Sequence, residues 1–368
     1  MRTGSLPPGS VVRAPGRANL IGEHTDHTDG LVLPVAIDRT VRLTVEVSGG
    51  DRIRLTSAQA PGVVDVAADG SEVPADGWGR YVAAVAAELT GLGRDPVGLT
   101  GALDSDLPQG CGLSSSAALE VVVGTALCLA AGFGLEPLQL AAACRRAEHR
   151  AVGVPSGIMD QAASILGRRG QAVLLDCGTL EHRTVPLPAD HALLLIDSGV
   201  RRQLETSGYA ERSRELAAAL PVLGGRRPLE VDPAELDDLL ADVDAVPARR
   251  LRHVVTENAR VGRVVAALEA GDLVTVGRCF AEGHASLRDD YEVSIPELDG
   301  LVDLAGEAGA TAARMTGGGF GGAIVALVPV DRADDVAAEV VDGARARWPQ
   351  REVVAHRCSA VDGAGLLT

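Results

Sequence analysis

Residues 97–131 restrict the fold more than any other stretch of the chain. A strand, Val97 to Leu103, runs straight into the loop Asp106-Leu107-Pro108-Gln109-Gly110-Cys111-Gly112-Leu113, and a helix over Ser114 to Ala131 follows. A strand that feeds a helix through so short a loop leaves backbone N–H groups and the positive end of the helix dipole converging on one point. An anion can bind there without any charged side chain. Glycines at 110 and 112 let the backbone approach the anion, and Ser114, Ser115 and Ser116 offer hydroxyls to phosphate oxygens or to a metal. Taken alone, the same segment also reads as a glycine turn with a serine helix cap.

The composition narrows what such a loop can do. All 34 basic residues are arginines, because the sequence contains no lysine. A Walker A loop, the strand lysine of ordinary protein kinases and Schiff-base chemistry all require that amine. If the chain handles ATP, it must use backbone N–H groups, helix N-termini, arginine and Mg²⁺. A formal net charge of −16 repels nucleic acid and anionic membrane surfaces, so neither is an expected partner. The six cysteines show no paired spacing of a zinc cage or redox motif, and they read as reduced structural thiols.

At 368 residues the chain exceeds one ordinary core, and a prior of roughly 150 residues per domain predicts about two domains with a cleft between them. The composition shift after His191-Ala192-Leu193-Leu194-Leu195-Ile196-Asp197 places the boundary near residue 190, giving domains 1–190 and 191–368. Strands are predicted over Ser10 to Arg17, Leu31 to Val47 and Ala323 to Val328, and helices over Trp78 to Leu89 and Leu138 to Ala151. Long helical segments are predicted between Glu211 and Leu287. Leu119 to Leu135 is the most apolar long stretch; it falls short of the ~20 residues of a membrane-spanning helix and contains Glu120, so it reads as a buried helix. No secretory signal is apparent at the N-terminus, and the expected location is the cytoplasm.

Three further segments could carry chemistry. Residues 17–30 crowd Arg17, Glu23, His24, Asp26, His27 and Asp29 into a strand-to-strand loop, a density of acceptors and donors that suits a polyhydroxylated ligand. The same histidines and aspartates also admit a metal cluster, although two histidines three apart on a loop more often belong to turn structure. Gly157-Ile158-Met159-Asp160-Gln161 opens a helix. Asp160 there either stabilises the helix dipole or orients or deprotonates a hydroxyl nucleophile, with Arg17 as its natural cationic partner. Gly317 to Gly322 lies between a predicted helix and a strand, and by itself reads as a tight turn.

In combination and in order, these segments resemble the signature motifs of the GHMP kinase superfamily, and within it the galactokinases. The resemblance is carried by Gly16 to Asp26, by Leu107 to Ala118 and by Met315 to Gly322. It extends to Trp78 to Val82, to Ala147-Glu148-His149 with Gly157 to Gln161, and to Ser286 to Ser294. It implies a two-domain α+β fold of mixed sheets and helices with the active site in the interdomain cleft. It also implies ATP-dependent phosphorylation of the anomeric hydroxyl of galactose. By the same resemblance Asp160 is the catalytic carboxylate and Arg17 its partner; Glu23, His24, Asp26, Gly157, Asp160 and Tyr209 hold the sugar. ATP would lie against Trp78, Tyr81, Gly110, Cys111, Gly112, Leu113, Ser114, Ser115 and Ser116, and Mg²⁺ would be bound by Ser116 and Glu148. The expected assembly is a monomer or weak homo-oligomer. Phosphoryl transfer depends on positioning and charge stabilisation, so a lysine-free chain is adequate for it.

The chain departs from the family pattern at four places. It has His27 where the signature continues with Tyr, Ser156 where Cys is common, Ala323 for the commoner Cys, and Gly199 where Asn is usual. His27 and Gly199 are expected near the sugar. The competing readings are a kinase for N-acetylgalactosamine, arabinose or galacturonate, a non-catalytic galactose and ATP sensor, and a metallohydrolase built on His24 and His27.

Overall fold

The computed structural model describes residues 6–108, 112–153, 156–201 and 205–367, without the side chains of 205–207. Gln109, Gly110 and Cys111 of the expected phosphate loop and Val154 and Pro155 of the following turn lie outside the described residues.

In chain order the strands and α-helices are β1 (Ser10–Asn19), β2 (Leu31–Val32), β3 (Pro34–Val47), β4 (Arg52–Ser57), β5 (Val63–Ala67), α1 (Gly79–Gly91), β6 (Leu99–Ser105), α2 (Ser115–Ala130), α3 (Pro137–Val152), α4 (Met159–Leu166), β7 (Gln171–Asp176), β8 (His182–Pro186) and β9 (His191–Asp197). There follow α5 (Glu205–Ala219), α6 (Leu236–Leu239), α7 (Ala245–Ala270), α8 (Leu273–Asp289), α9 (Pro296–Glu307), β10 (Ala312–Thr316), β11 (Ala323–Pro329), α10 (Ala333–Arg347), β12 (Val354–Cys358) and β13 (Gly365–Leu367).

The strands form three sheets. The first has the order β13-β1-β3-β6-β4-β5 and is antiparallel except for the β4–β6 pair. α2 and α4 pack on β1 and β3, and α1, α2 and α3 pack on one another. This layer is the larger core, and it also takes in buried residues of α7 and α8. α2 is buried almost throughout, as its apolar run predicts, with Glu120 among the buried residues. The second sheet, β10-β11-β9-β12, is wholly antiparallel. β9 is buried along nearly all its length, which is why its sequence is an unbroken apolar run rather than an alternation. The buried residues of the second core lie between Leu194 and Ala344, with Trp348, Val353 and Ala355 packed against them. β2, β7 and β8 make a small third sheet. Among the described residues no helix is long and apolar enough to cross a membrane.

Residues 360–367 return to the first layer. β13 pairs with β1, Val361 donates its N–H to the carbonyl of Ala36, and Gly363 and Ala364 donate to Gly167 and Ser164 at the end of α4.

Two expectations need correction. The segment before Gly317 is strand β10, not a helix. Ala312-Ala313-Arg314-Met315-Thr316 has no strong strand propensity, and its conformation is set by pairing with β11 and by burial between elements. The strand expected over Val97 to Leu103 runs two residues later, because its register is fixed by β3 and β4 rather than by its own pattern.

Candidate active site

β1 and β3 are in register except for a shift between Pro15 and Arg17. Such an irregularity re-aims the side chain that follows it. Gly16, at this point, allows a close approach that no other residue could: a Cβ there would stand 2.3 Å from Leu107 Cδ2 and 2.7 Å from the carbonyl oxygen of Leu113. The strand therefore presses against the loop leading into α2, and Arg17 donates its backbone N–H to Leu113 O at 3.3 Å and its Nη1 to Gly112 O.

The remaining face of the Arg17 guanidinium engages α4. Nε donates to Asp160 Oδ1 at 2.8 Å and Nη2 to Oδ2 at 3.0 Å, a two-pronged, charge-assisted contact that fixes the carboxylate plane. Ser114, which precedes α2, holds the left-handed conformation φ 59°, ψ 47°, and its hydroxyl donates to Asp160 Oδ2. Because that side chain turns to Asp160, Ser114 makes no side-chain cap to α2. The N–H groups of its first turn keep their capacity to bind an anion.

Ser116 on α2 and Glu148 near the end of α3 meet at 3.0 Å, Ser116 Oγ donating to Glu148 Oε1. The other oxygen, Oε2, accepts from Ser156 Oγ at 2.7 Å and from Gln161 Nε2 at 3.1 Å. Gln161 Nε2 also donates to Glu120 Oε2 at 3.0 Å. Burial, followed by the nearby Glu148 charge, pushes the Glu120 carboxyl up to about 10, so it is a neutral acid at pH 7.

The loop between β1 and β2 is closed on itself by Thr25, whose hydroxyl donates to Gly22 O (2.8 Å) and Leu31 O (2.7 Å). It is tied to α7 by Gly22 N–H donating to Glu257 Oε1 and Leu31 N–H donating to Asn258 Oδ1. Glu23, almost wholly buried, receives Arg314 Nη2 at 2.7 Å, and the same nitrogen donates to Glu257 Oε1 at 2.6 Å. Burial pushes Glu23 up to about 7 against the pull of Arg314. Burial acts on Glu257 too, but Arg314 and Arg260 together hold it below the usual carboxylate range. One guanidinium thus sits between two carboxylates, and Glu23 is the one that takes up a proton first. Gly157 packs so tightly on Asp26 that a Cβ would fall 1.9 Å from Asp26 Oδ2. The Tyr209 hydroxyl is raised well above its ordinary value by burial and stays protonated.

These groups line one cavity of about 360 Å³: Arg17, Glu23, His24, Asp26, Tyr81, Ser116, Glu148, Gly157, Asp160 and Tyr209 all face it. Ser156, Met159, Phe320 and Gly317 to Gly319 also line it. Sequence reading did not assign these to the site, although the glycine run and the Ser156 substitution had drawn notice. A second cavity of about 380 Å³ adjoins the first at Tyr81 and Ser116 and adds Trp78 and Ser115 to Val41, Leu103, Leu107 and Leu119. Neither His27 nor Gly199 is among the described residues lining the first cavity. His27 sits one layer back, 3.5 Å from Asp26 Oδ1 and 3.4 Å from the hydroxyls of both Tyr209 and Tyr291. Gly199 instead abuts the backbone of Glu352.

The start of α2 thus faces the paired Arg17 and Asp160. Residues 80–168 match the GHMP kinases N terminal domain and residues 264–346 the GHMP kinases C terminal domain. Residues 2–47 match the galactokinase galactose-binding signature. The structure of Lactococcus lactis galactokinase complexed with galactose is 32% identical, superposes with a TM-score of 0.92, and the match covers 97% of this chain and 95% of that one. The chain belongs to the galactokinase family of ATP-dependent GHMP kinases. Methanococcus jannaschii mevalonate kinase (18% identity, TM-score 0.67, 97% and 100% coverage) and Cytophaga hutchinsonii homoserine kinase (21%, 0.62, 100% and 100%) share the fold.

Proposed function

We propose that this chain transfers the γ-phosphoryl group of ATP to the anomeric C1 hydroxyl of galactose, giving galactose 1-phosphate and ADP. The observation that carries the reading is the Asp160 carboxylate, fixed on one side by Arg17 and Ser114 and open on the other to a cavity lined by the polar groups of the 20–30 loop. The 360 Å³ volume suits a monosaccharide beside a terminal phosphate, and the adjoining cavity, with Trp78 and Tyr81, suits the adenine.

In this reading the sugar lies against Glu23, His24, Asp26, Gly157 and Tyr209, which exchange hydrogen bonds with its hydroxyls. Asp160 orients the C1 hydroxyl and takes its proton, while Arg17 holds the carboxylate in place and adds positive charge where the phosphoryl group arrives. The start of α2, from Gly112 to Ser116, receives the phosphates through its N–H groups, and Gly110 and Cys111 belong to the same loop. Ser116 Oγ and Glu148 Oε1, 3.0 Å apart on the cavity wall, form an all-oxygen pair that fits Mg²⁺. Mg²⁺ held there supplies charge neutralisation to the phosphates. The division into residues 1–190 and 191–368 is part of this proposal.

The test is ADP release from MgATP with galactose, N-acetylgalactosamine, arabinose, glucose and galacturonate, alongside Asp160→Asn. Selective turnover of galactose, lost in the Asn variant while MgATP binding survives, is the expected result. Preference for another sugar, binding without turnover, or near-normal turnover by Asp160→Asn overturns the proposal.

A further inference from the structure

We infer that Ser156 and Gln161 are positioning residues that fix the Glu148 carboxylate for metal binding, an inference that rests on the Mg²⁺ role proposed for Glu148. Three donors from three separate segments converge on that one side chain: Ser116 from α2, Ser156 from the segment after α3, and Gln161 from α4. A carboxylate oxygen has two acceptor positions. Oε2 is filled by Ser156 and Gln161, whereas Oε1 receives, among the described residues, only Ser116 and retains one acceptor position; Glu148 and Ser116 both line the cavity. The carboxylate is thereby turned so that Oε1, beside Ser116 Oγ, is the oxygen that meets a cation.

Gln161 can serve this way because it is itself immobilised. It is fully buried, and Nε2 is shared between Glu148 and Glu120. Rotation of the amide would break both donations and turn its oxygen toward two carboxyl oxygens. Ser156 is the residue at which this chain departs from the commoner cysteine of the family it resembles. A thiol is a weak donor, whereas the hydroxyl at 2.7 Å is a strong one to an ionised acceptor. The substitution strengthens the hold on Glu148. Gln161 follows Asp160 on the same helix, so one turn of α4 sets both the carboxylate aimed at the sugar and the carboxylate aimed at the metal.

The experiment measures Mn²⁺ binding to the enzyme with ATP by electron paramagnetic resonance of free Mn²⁺, and the affinity for metal-free ATP by calorimetry. Ser156→Ala is expected to weaken Mn²⁺ binding about 10-fold, as loss of a hydrogen bond to a metal ligand does. Ser156→Thr is expected to restore it, Gln161→Met to weaken it at least as much, and metal-free ATP affinity to stay unmoved in Ser156→Ala. Wild-type Mn²⁺ affinity in both Ser156→Ala and Gln161→Met, with Glu148→Gln still defective, overturns the inference and leaves the role of Glu148 intact. Wild-type affinity in Glu148→Gln overturns that role and the inference with it.

Discussion

Glu120 shows how far a single residue can lie from its textual appearance. In the sequence it is one charge interrupting an apolar run; in the fold it is a neutral acid with its proton held by burial. The pH consequence follows from linkage. The unfolded chain releases this proton near the ordinary value of 4.5, whereas the folded chain keeps it until about 10. The group's contribution to stability is therefore complete below about pH 4.5 and drains as pH rises toward 10, at up to about 1.4 kcal/mol per unit. Glu120→Gln, already neutral, removes that slope. Thermal melts between pH 5 and 9 are expected to show the variant gaining over the parent as pH rises; parallel curves would count against the buried acid. Arg17 and Asp160 were legible as partners because opposite charges in two motifs of the same family resemblance invite pairing, although 143 positions separate them. The turn of Ser114 onto Asp160 and the double donation of Gln161 were not, since they exist only once α2, α3 and α4 are packed together.

Among elements, the loop after β1 and the start of α4 are built to touch. Gly157 brings α4 onto the Asp26 side chain at a distance that leaves no room for a methyl group. Gly157→Ala must displace Asp26, a cavity-lining group proposed above to hold the sugar, without disturbing the α2 start. The expected outcome is a galactose KM at least about 10-fold higher, an effect on the scale of one lost charge-assisted hydrogen bond, with MgATP affinity little changed. Sugar titrations and ATP calorimetry separate the two effects. Elements with a long apolar run, such as α2 and β9, or with clear helical spacing, such as α3, were legible almost to their ends. β10 was not, because five residues of mixed propensity carry too little local signal against a pairing partner that decides their shape. The hairpin β4–β5, whose second strand is the sheet edge, buries Ile53, Leu55, Val64 and Val66 in alternation and was not assigned from the sequence.

Across the whole molecule, the sugar loop and the second core are joined by charge. Arg314 on β10 reaches Glu23 in the loop and Glu257 on α7, all three nearly or wholly out of water. Removing the cation leaves two carboxylates buried together. Arg314→Met is expected to lower stability by about 3–5 kcal/mol, as when one partner of a buried pair is lost. Urea denaturation would measure it, and a loss below about 1 kcal/mol would mean that water replaces the guanidinium. Sequence order shows none of this arrangement, because its members lie in the loop after β1, in α7 and in β10 and meet only in the assembled fold.

The return of residues 360–367 to the first layer has a consequence in time. The end of α4 is fastened by backbone bonds from Gly363 and Ala364, nearly two hundred residues downstream. At a synthesis rate of roughly 5–20 residues per second, the helix bearing Asp160 leaves the ribosome about 10–40 s before its fastener exists. During that interval the outer edge of β1 lacks its neighbour and stands open to pairing with another nascent chain. Through that interval helix α4 stays unfastened, and the emerging polypeptide gains most from a chaperone then.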